Sequence, residues 1–562
     1  MSGESRIEPR AVWPFVVISA LLVALRYGFN YGIGNHNTYL LHALRLVDPS
    51  VLTHDWLATI DADYHPAFTR LAALLMGLDG SGWMIGLANV VCIGVGVAVI
   101  FLIVRAVTGR RNAVMTFLPV AMLTAVGSTY SVSGSYIFSI TFQPSTLAGV
   151  GYLGAIAAFI CKRYLLSGVC AATAGLFHAN FLVLTFPAFG LAHLFAGRRQ
   201  LVRRLLVQLV PSLIPLALLT PLLLGQTESP NAAYARYVFQ HVQAPQHYVP
   251  MTFLTEFITF GAWCGLGVLG GWRVMRESEP GRLLGAVGLS FLLLIAIASL
   301  LTTIVFIPVA SQLYVWRLAP YVVLICQIFA AAGLVRQLLE DDFPLIFSRR
   351  IALFAVAALL IGLTFRYHYG EFRMTQVWVL GTLATAFLFV PQLIPPCTRR
   401  RIFLGVALII GVWLTGLLIP ASEVVSRSSL VTGLPADEQE LYDWAAQTPD
   451  TSVFLIPPRL ENFRFNARRA VVVDAKSTPV DPDQVVEWYH RLRIVAGIDT
   501  VSGPEEAAAG YRALDSARCA AIDSIFPHEY VVLSEVQGFV PGADLRSAFA
   551  NRSYRVYERV LR

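Results

Sequence analysis

The chain predicts an α-helical polytopic membrane protein of about 13 spans, with a small α/β domain at its C-terminal end. Three observations carry this reading. Of 562 residues, 56% are hydrophobic and only 14% charged, whereas a soluble domain holds about 25% charged residues. Apolar runs of about 20 residues, each long enough to cross a bilayer, recur along most of the length. Beyond about Ser422 the composition turns polar, and twenty of the 35 acids and fifteen of the 42 bases lie there.

The first apolar run, Ala11 to Tyr31, follows Arg6 and Arg10. It is too long for a signal-peptide core and shows no small-residue cleavage site, so it reads as a retained anchor. Spans fall at 11–33, 83–106, 112–130, 146–161, 164–178, 181–197, 205–224, 251–272, 283–306, 319–337, 351–366, 374–393 and 402–420. Twenty basic residues cluster in alternate loops, as in Arg105/Arg110/Arg111, Arg198/Arg199/Arg203/Arg204 and Arg399/Arg400/Arg401. The other loops hold only Arg45, Arg70, Arg236, Arg317, Arg366 and Arg373. The positive-inside rule then puts the N-terminus in the cytoplasm and the first loop and C-terminal domain outside it. Pro66 to Leu78 is short and reads as an interfacial or re-entrant helix. The organisation is a transmembrane domain, 1–421, with a first outer loop at 34–82, followed by an extracytoplasmic domain, 422–562.

That first loop gathers His36, His42, His54 and His65 with Asp48, Asp55, Asp61 and Asp63. A chain that excludes ionisable groups elsewhere and collects them here points to a site. Thr38 to Val47 fits a helix with Leu40, Leu41, Leu44 and Val47 on one face, stopped by Asp48-Pro49. Thr53 or Asp55 caps a second short helix in this reading. Later outward stretches add further polar groups. Gln143 precedes Pro144 in an irregular segment. The loop from Gly225 to Pro250 carries Arg236, His247 and Tyr248, Arg317 stands at the head of a span, and His368 lies in RYHYGEFR. In the tail, strands at 452–456, 469–474, 530–533 and 554–557 alternate with helices at 482–495 and 504–522 and one around Leu441 and Trp444, a small α/β layer.

The net charge of +7 is spread over short loops and does not argue for nucleic acid. All bases but Lys162 and Lys476 are arginine. The seven cysteines form neither a disulfide framework nor a metal-spaced pair. The tail holds no glycine-rich phosphate loop and no nucleophile elbow.

Sugar transfer from a lipid phosphate needs a carboxylate to take or position the acceptor's proton. It needs cations for the leaving phosphate, which the arginine fork matches best. It also needs a place at the membrane surface, where the donor's tail can stay in lipid. Asp55 in the early loop, with Arg236 and Arg317 on later outward loops, meets these needs. Asn35, His36, His54, Gln143, His247, Tyr248 and His368 are further candidates for substrate contact. Rival readings are a flippase or transporter, a zinc or manganese site built from His36, His54, His65 and the aspartates, and a non-catalytic assembly protein.

This layout resembles the GT-C superfamily of polyprenyl-phosphate-dependent glycosyltransferases. The segments NHNTYLLHALRLVDPSVLTHDW, APQHYVP and LYDWAAQTPDTSVFLIPP are also similar to an uncharacterised family of bacterial integral membrane proteins of the same architecture. The resemblance implies a polyprenyl-phosphate-linked sugar as donor and membrane lipid as surroundings. It puts the catalytic acid at Asp55, with Asp61 and Asp63 as rivals. Asp61-Ala62-Asp63 spells the D-x-D pattern of metal-dependent transferases, which implies a divalent cation, magnesium or manganese. The tail lacks the WWD-type signature, which argues against transfer onto asparagine.

Overall fold

Apolar runs become helices because an open chain in lipid has no other way to satisfy every backbone N–H and C=O. The computed structural model describes residues 13–27, 29–60, 63–125, 131–197, 200–225, 229–248, 254–304, 313–339, 434–534 and 538–560. The spans expected at 351–366, 374–393 and 402–420, and the boundary near Ser422, lie outside these residues.

Helix α1 (Trp13–Tyr27) packs along α5 (Trp83–Ala125). Between them the first loop forms α2 (His36–Tyr39), α3 (Leu41–Val47) and α4 (Pro66–Leu78). The single helix expected at Thr38–Val47 therefore starts earlier and divides at Leu40, which is fully buried. Val47, expected on one face with Leu40, Leu41 and Leu44, is 42% exposed while those three are buried. In place of a second short helix the segment around Asp55 is a series of turns. Helix α4 has 13 residues, about 20 Å of rise against a hydrocarbon core of about 30 Å. It buries Phe68, Ala72 and Met76 and exposes Leu74 and Leu78, so it lies along the bundle.

Helix α5 breaks at Gly109, whose φ of +71° suits glycine, where two spans were expected to meet. The chain continues through α6 (Pro144–Ile160), α7 (Tyr164–Phe177), α8 (Ala179–Ala196), α9 (Leu201–Leu209) and α10 (Leu213–Gly225). The second loop holds α11 (Ala232–Val238) and α12 (Pro245–Tyr248), and then come α13 (Leu254–Glu277), α14 (Glu279–Thr303) and α15 (Ala319–Leu339). Helices α13 and α15 touch backbone to backbone. A Cβ on Gly333 would sit 2.6 Å from the Gly270 Cα, the small-residue contact that close helix pairs in lipid need. Among the described residues five segments are long and apolar enough to cross a membrane: Trp83–Gly109, Ala179–Ala196, Leu201–Pro221, Glu279–Thr303 and Val315–Gly333. Leu206, Ile214, Leu218 and Leu269 stand exposed, an apolar surface suited to acyl chains. This is a multi-pass membrane protein.

The C-terminal region forms a five-stranded sheet in the order β2-β1-β3-β5-β4. Its strands are β1 (Val453–Leu455), β2 (Ala470–Val471), β3 (Tyr530–Ser534), β4 (Leu545–Ala550) and β5 (Tyr554–Arg559). Strand β1 pairs in parallel with β2 and β3, while β5 is antiparallel to β3 and β4. Helices α16 (Ala436–Ala445), α17 (Phe463–Ala467), α18 (Pro482–Ala496), α19 (Pro504–Arg512) and α20 (Ser516–Ile525) complete the layer. The expected helix at 504–522 is two, because Asp515 accepts from the Arg518 N–H and caps a new start. Strand β4 is an addition. It is an edge strand that buries little beyond Leu545, so its sequence lacks a buried-strand pattern.

The two regions share one core surface. Ala235, Val238 and Val242 of the second loop pack inside the soluble layer, and Phe465 of that layer packs into the helix bundle.

Candidate functional site

A cavity of about 280 Å³ opens where the first loop, the 134–136 turn, the second loop, the head of α15 and residues 476–484 of the soluble layer meet. Ser145 near the start of α6, Thr69 in the first turn of α4 and Arg317 just before α15 all line it. Helix N-termini carry partial positive charge, so this setting favours an anion.

Arg317 belongs to a 3-10 turn, Val315–Leu318. Val315, Trp316 and Leu318 are buried, which leaves Arg317 as the member that lines the cavity. Its Nε is buried without a hydrogen-bond partner, and it has no ion pair among the described residues. Its guanidinium carbon lies 5.6 Å from the centre of the Tyr314 ring. Tyr314 itself holds a φ of +45°, a conformation costly for a tyrosine and typical of places where structure serves a site. The Tyr248 hydroxyl bonds that of Tyr314.

Asp63 is the carboxylate of this cavity. Its Oδ1 accepts from the His65 N–H at 3.0 Å and from the Thr69 hydroxyl at 3.0 Å, so it also fastens the start of α4. Its Oδ2 has no bond to a described residue. Beside it, His65 Nδ1 donates to the Phe177 carbonyl at 3.1 Å. Burial lowers the His65 pKa to about 4; the Asp63 carboxylate opposes this and Arg317 adds to it. The ring is therefore neutral near pH 7, with Nε2 as an acceptor. His247 is similar. It donates from Nδ1 to the Ser133 carbonyl at 2.7 Å, and burial first, then the charge of Arg317, holds its pKa at about 4. The cavity thus offers one half-free carboxylate, neutral imidazoles, and two cations, Arg317 and Lys476.

The structure distributes the sequence candidates widely. Asn35, Asp63, His247 and Arg317 line the cavity. Gln143 stands behind Asn35 and accepts from its amide at 2.7 Å. Tyr248 stands behind Tyr314. His36 is buried and occupied on both nitrogens: the Gly32 N–H donates to Nδ1 and Nε2 donates to the Phe142 carbonyl. His54 is exposed on the loop surface, away from the cavity. Arg236 rides on α11, which packs against α18 of the soluble layer, and it does not line the cavity. Asp61 and His368 lie outside the described residues.

Asp55 is elsewhere too. It is fully buried at the junction with the soluble layer. Oδ1 accepts from the N–H groups of Leu57 and Ala58, and Oδ2 accepts from Arg464 Nε at 2.8 Å and the Val471 N–H at 3.0 Å. Arg464 also pairs with the buried Asp474. Every bonding position of Asp55 that matters is thus occupied by protein. Sequence reading named His65 in the first-loop cluster but not as a substrate contact, and it missed Tyr136, Tyr314 and Lys476 as lining residues. Only Lys476 carried a signal, as one of two lysines in an arginine-rich chain.

Among the described residues no three His, Cys, Asp or Glu side chains come together as metal ligands. One carboxylate facing two cations is a poor donor set for magnesium or manganese and a good one for an anion.

Comparison with solved structures bears on the fold. The chain is similar to ArnT from Cupriavidus metallidurans bound to undecaprenyl phosphate, at a TM-score of 0.54 and 15% identity over 98% of both chains. It is also similar to the apo state of that protein, at a TM-score of 0.51 and 14% identity over 98% of this chain and 97% of the other. The chain shares the overall fold of these ArnT structures. Residues 436–495 match a domain of unknown function, DUF6798, which takes in the whole of the LYDWAAQTPDTSVFLIPP segment. No curated protein sequence matches the chain.

Proposed function

We propose that the chain is a membrane glycosyltransferase that moves a sugar from a polyprenyl-phosphate donor to an acceptor hydroxyl, with this cavity as its active site. The observation that carries the reading is the pairing in one cavity of Arg317, a cation without a counter-ion among the described residues, and Asp63, a carboxylate with one oxygen unbonded. The fold shared with ArnT supports lipid-linked sugar transfer as the reaction class, and the arginine alternation supports an extracytoplasmic site. In this scheme the acceptor oxygen attacks the sugar's anomeric carbon and its proton passes to Asp63 Oδ2. The bond from that carbon to the phosphate oxygen breaks, and the departing phosphate keeps the electron pair beside Arg317. His65 and His247, both neutral, accept hydrogen bonds from sugar hydroxyls.

Native mass spectrometry of co-purifying lipid tests the reading on wild type, Asp63→Asn and Arg317→Ala. Polyprenyl phosphate or its sugar adduct is expected on wild type, retained in Asp63→Asn and lost in Arg317→Ala. Ordinary phospholipid alone on all three proteins would overturn it.

A further inference from the structure

Lys476 enters the cavity from the soluble layer, not from the helix bundle. The other lysine, Lys162, pairs with Glu279 on the surface. Lys476 has no ion pair among the described residues, although Glu461 lies near enough to feel its charge. An unpaired ammonium at a cavity that also holds an unpaired guanidinium calls for an anion.

The loop that carries it is held unusually firmly. Asp474 Oδ1 accepts from the N–H groups of Lys476 at 2.9 Å and Ser477 at 2.6 Å. The Asp474 carbonyl accepts from the Trp488 indole at 2.8 Å. Its other carboxylate oxygen takes Arg464, and Arg464 takes Asp55 of the first loop. All three side chains are at most 1% exposed. The Ser477 hydroxyl then donates to the Asn37 carbonyl at 3.3 Å, closing the loop onto α2. A buried ion triad is an expensive way to glue two domains, since apolar packing serves stability as well or better. It is a good way to fix one register, and the register fixed here is that of the Lys476 backbone.

Resting on the transferase reading, we propose that Lys476 is a second contact for the donor's phosphate, and that Asp55, Arg464 and Asp474 are positioning residues that hold its loop over the cavity. The soluble layer is then part of the active site, and Asp55 acts on substrate only through it.

The test uses the full chain in nanodiscs with undecaprenyl phosphate as the titrated probe. Lys476→Gln is expected to weaken binding about tenfold, the loss of one charge-assisted contact, with unchanged melting temperature. Lys476→Arg keeps the charge and is expected to bind within about threefold of wild type. Asp474→Asn weakens binding in the wild-type background but adds nothing in Lys476→Gln, as a residue acting through Lys476 must. Arg317→Ala serves as the control for the reading beneath. If Arg317→Ala loses the probe while Lys476→Gln binds as wild type, this inference falls and the transferase reading stands. Additive effects of Asp474→Asn and Lys476→Gln would sink the positioning role. If wild type fails to bind the probe above phospholipid, both fall together.

Discussion

Asp55 and Asp63 stand eight residues apart in one loop, with similar polar neighbours in sequence. Asp55 faces the soluble layer, is wholly buried, and uses both oxygens on Arg464 and three backbone N–H groups. Asp63 faces the cavity and uses one oxygen on the start of α4. The first holds two regions of the chain together; the second leaves one oxygen without a bond to a described residue. In the proposed reaction it is this free valence, not the residue type, that separates a structural acid from a reactive one.

The comparison can be broken most directly on the Asp55 side. Arg464→Ala leaves two buried carboxylates without their cation, and removing one partner of such a set costs about 3–5 kcal/mol. A large drop in melting temperature, or loss of monodisperse protein, is expected. A melting curve like wild type would mean the triad is not formed. On the other side, Asp63→Asn should lower turnover by about 10²–10⁴ while the melting temperature moves little and donor lipid still binds. Full activity in Asp63→Asn would return the catalytic role to another acid.

Three buried histidines, two from this loop and one from the second, sharpen the contrast with pH. His36, His65 and His247 all have pKa values lowered to about 4 in the folded protein, burial being the first cause in each. Their free values lie near 6.5. A lowered folded value means that the unfolded chain binds more protons between pH 6.5 and 4. Stability is therefore complete above 6.5 and falls with pH toward 4, by about 1.4 kcal/mol per histidine for each unit. Melting temperature should decline from pH 7 to pH 5, and less steeply in His36→Gln if that variant folds. A flat profile would contradict the burial of these rings. The smallest effect belongs to His54, which is exposed: His54→Ala should change stability by less than about 0.5 kcal/mol and leave turnover alone.

Much of the fold was legible because lipid allows few solutions. Helix boundaries such as the break near Gly109 follow from apolar runs and arginine clusters, and β1, β2 and β3 follow from their buried apolar stretches. The edge strand β4 escaped because an edge need not bury alternate residues. The site was legible in part. Residues expected on one side of the membrane, Asn35, Asp63, His247 and Arg317, do line one cavity. What could not be read was which acid had a partner, for Arg464 lies 409 residues from Asp55. The same distance hid Lys476, whose place depends on the docking of a separate layer. Arg236 looked equivalent to Arg317 as a charge on an outward loop, yet it sits on a helix that packs against α18.

The reach of that Asp55–Arg464 contact also sets an order of events during synthesis. The first loop emerges early, and its counter-charge, Arg464, follows 409 residues later. At about 5–20 residues per second, the ribosome needs roughly 20 to 80 seconds to bridge the gap. Throughout that interval the loop carries an acid whose final burial is not yet available to it, α2 lacks its bonds with Asn462 and Ser477, and the Gly32 carbonyl lacks the Asn466 amide. The nascent bundle is thus left unfinished by its wiring, and the cavity is completed only once residues 476–484 have been delivered to the same face.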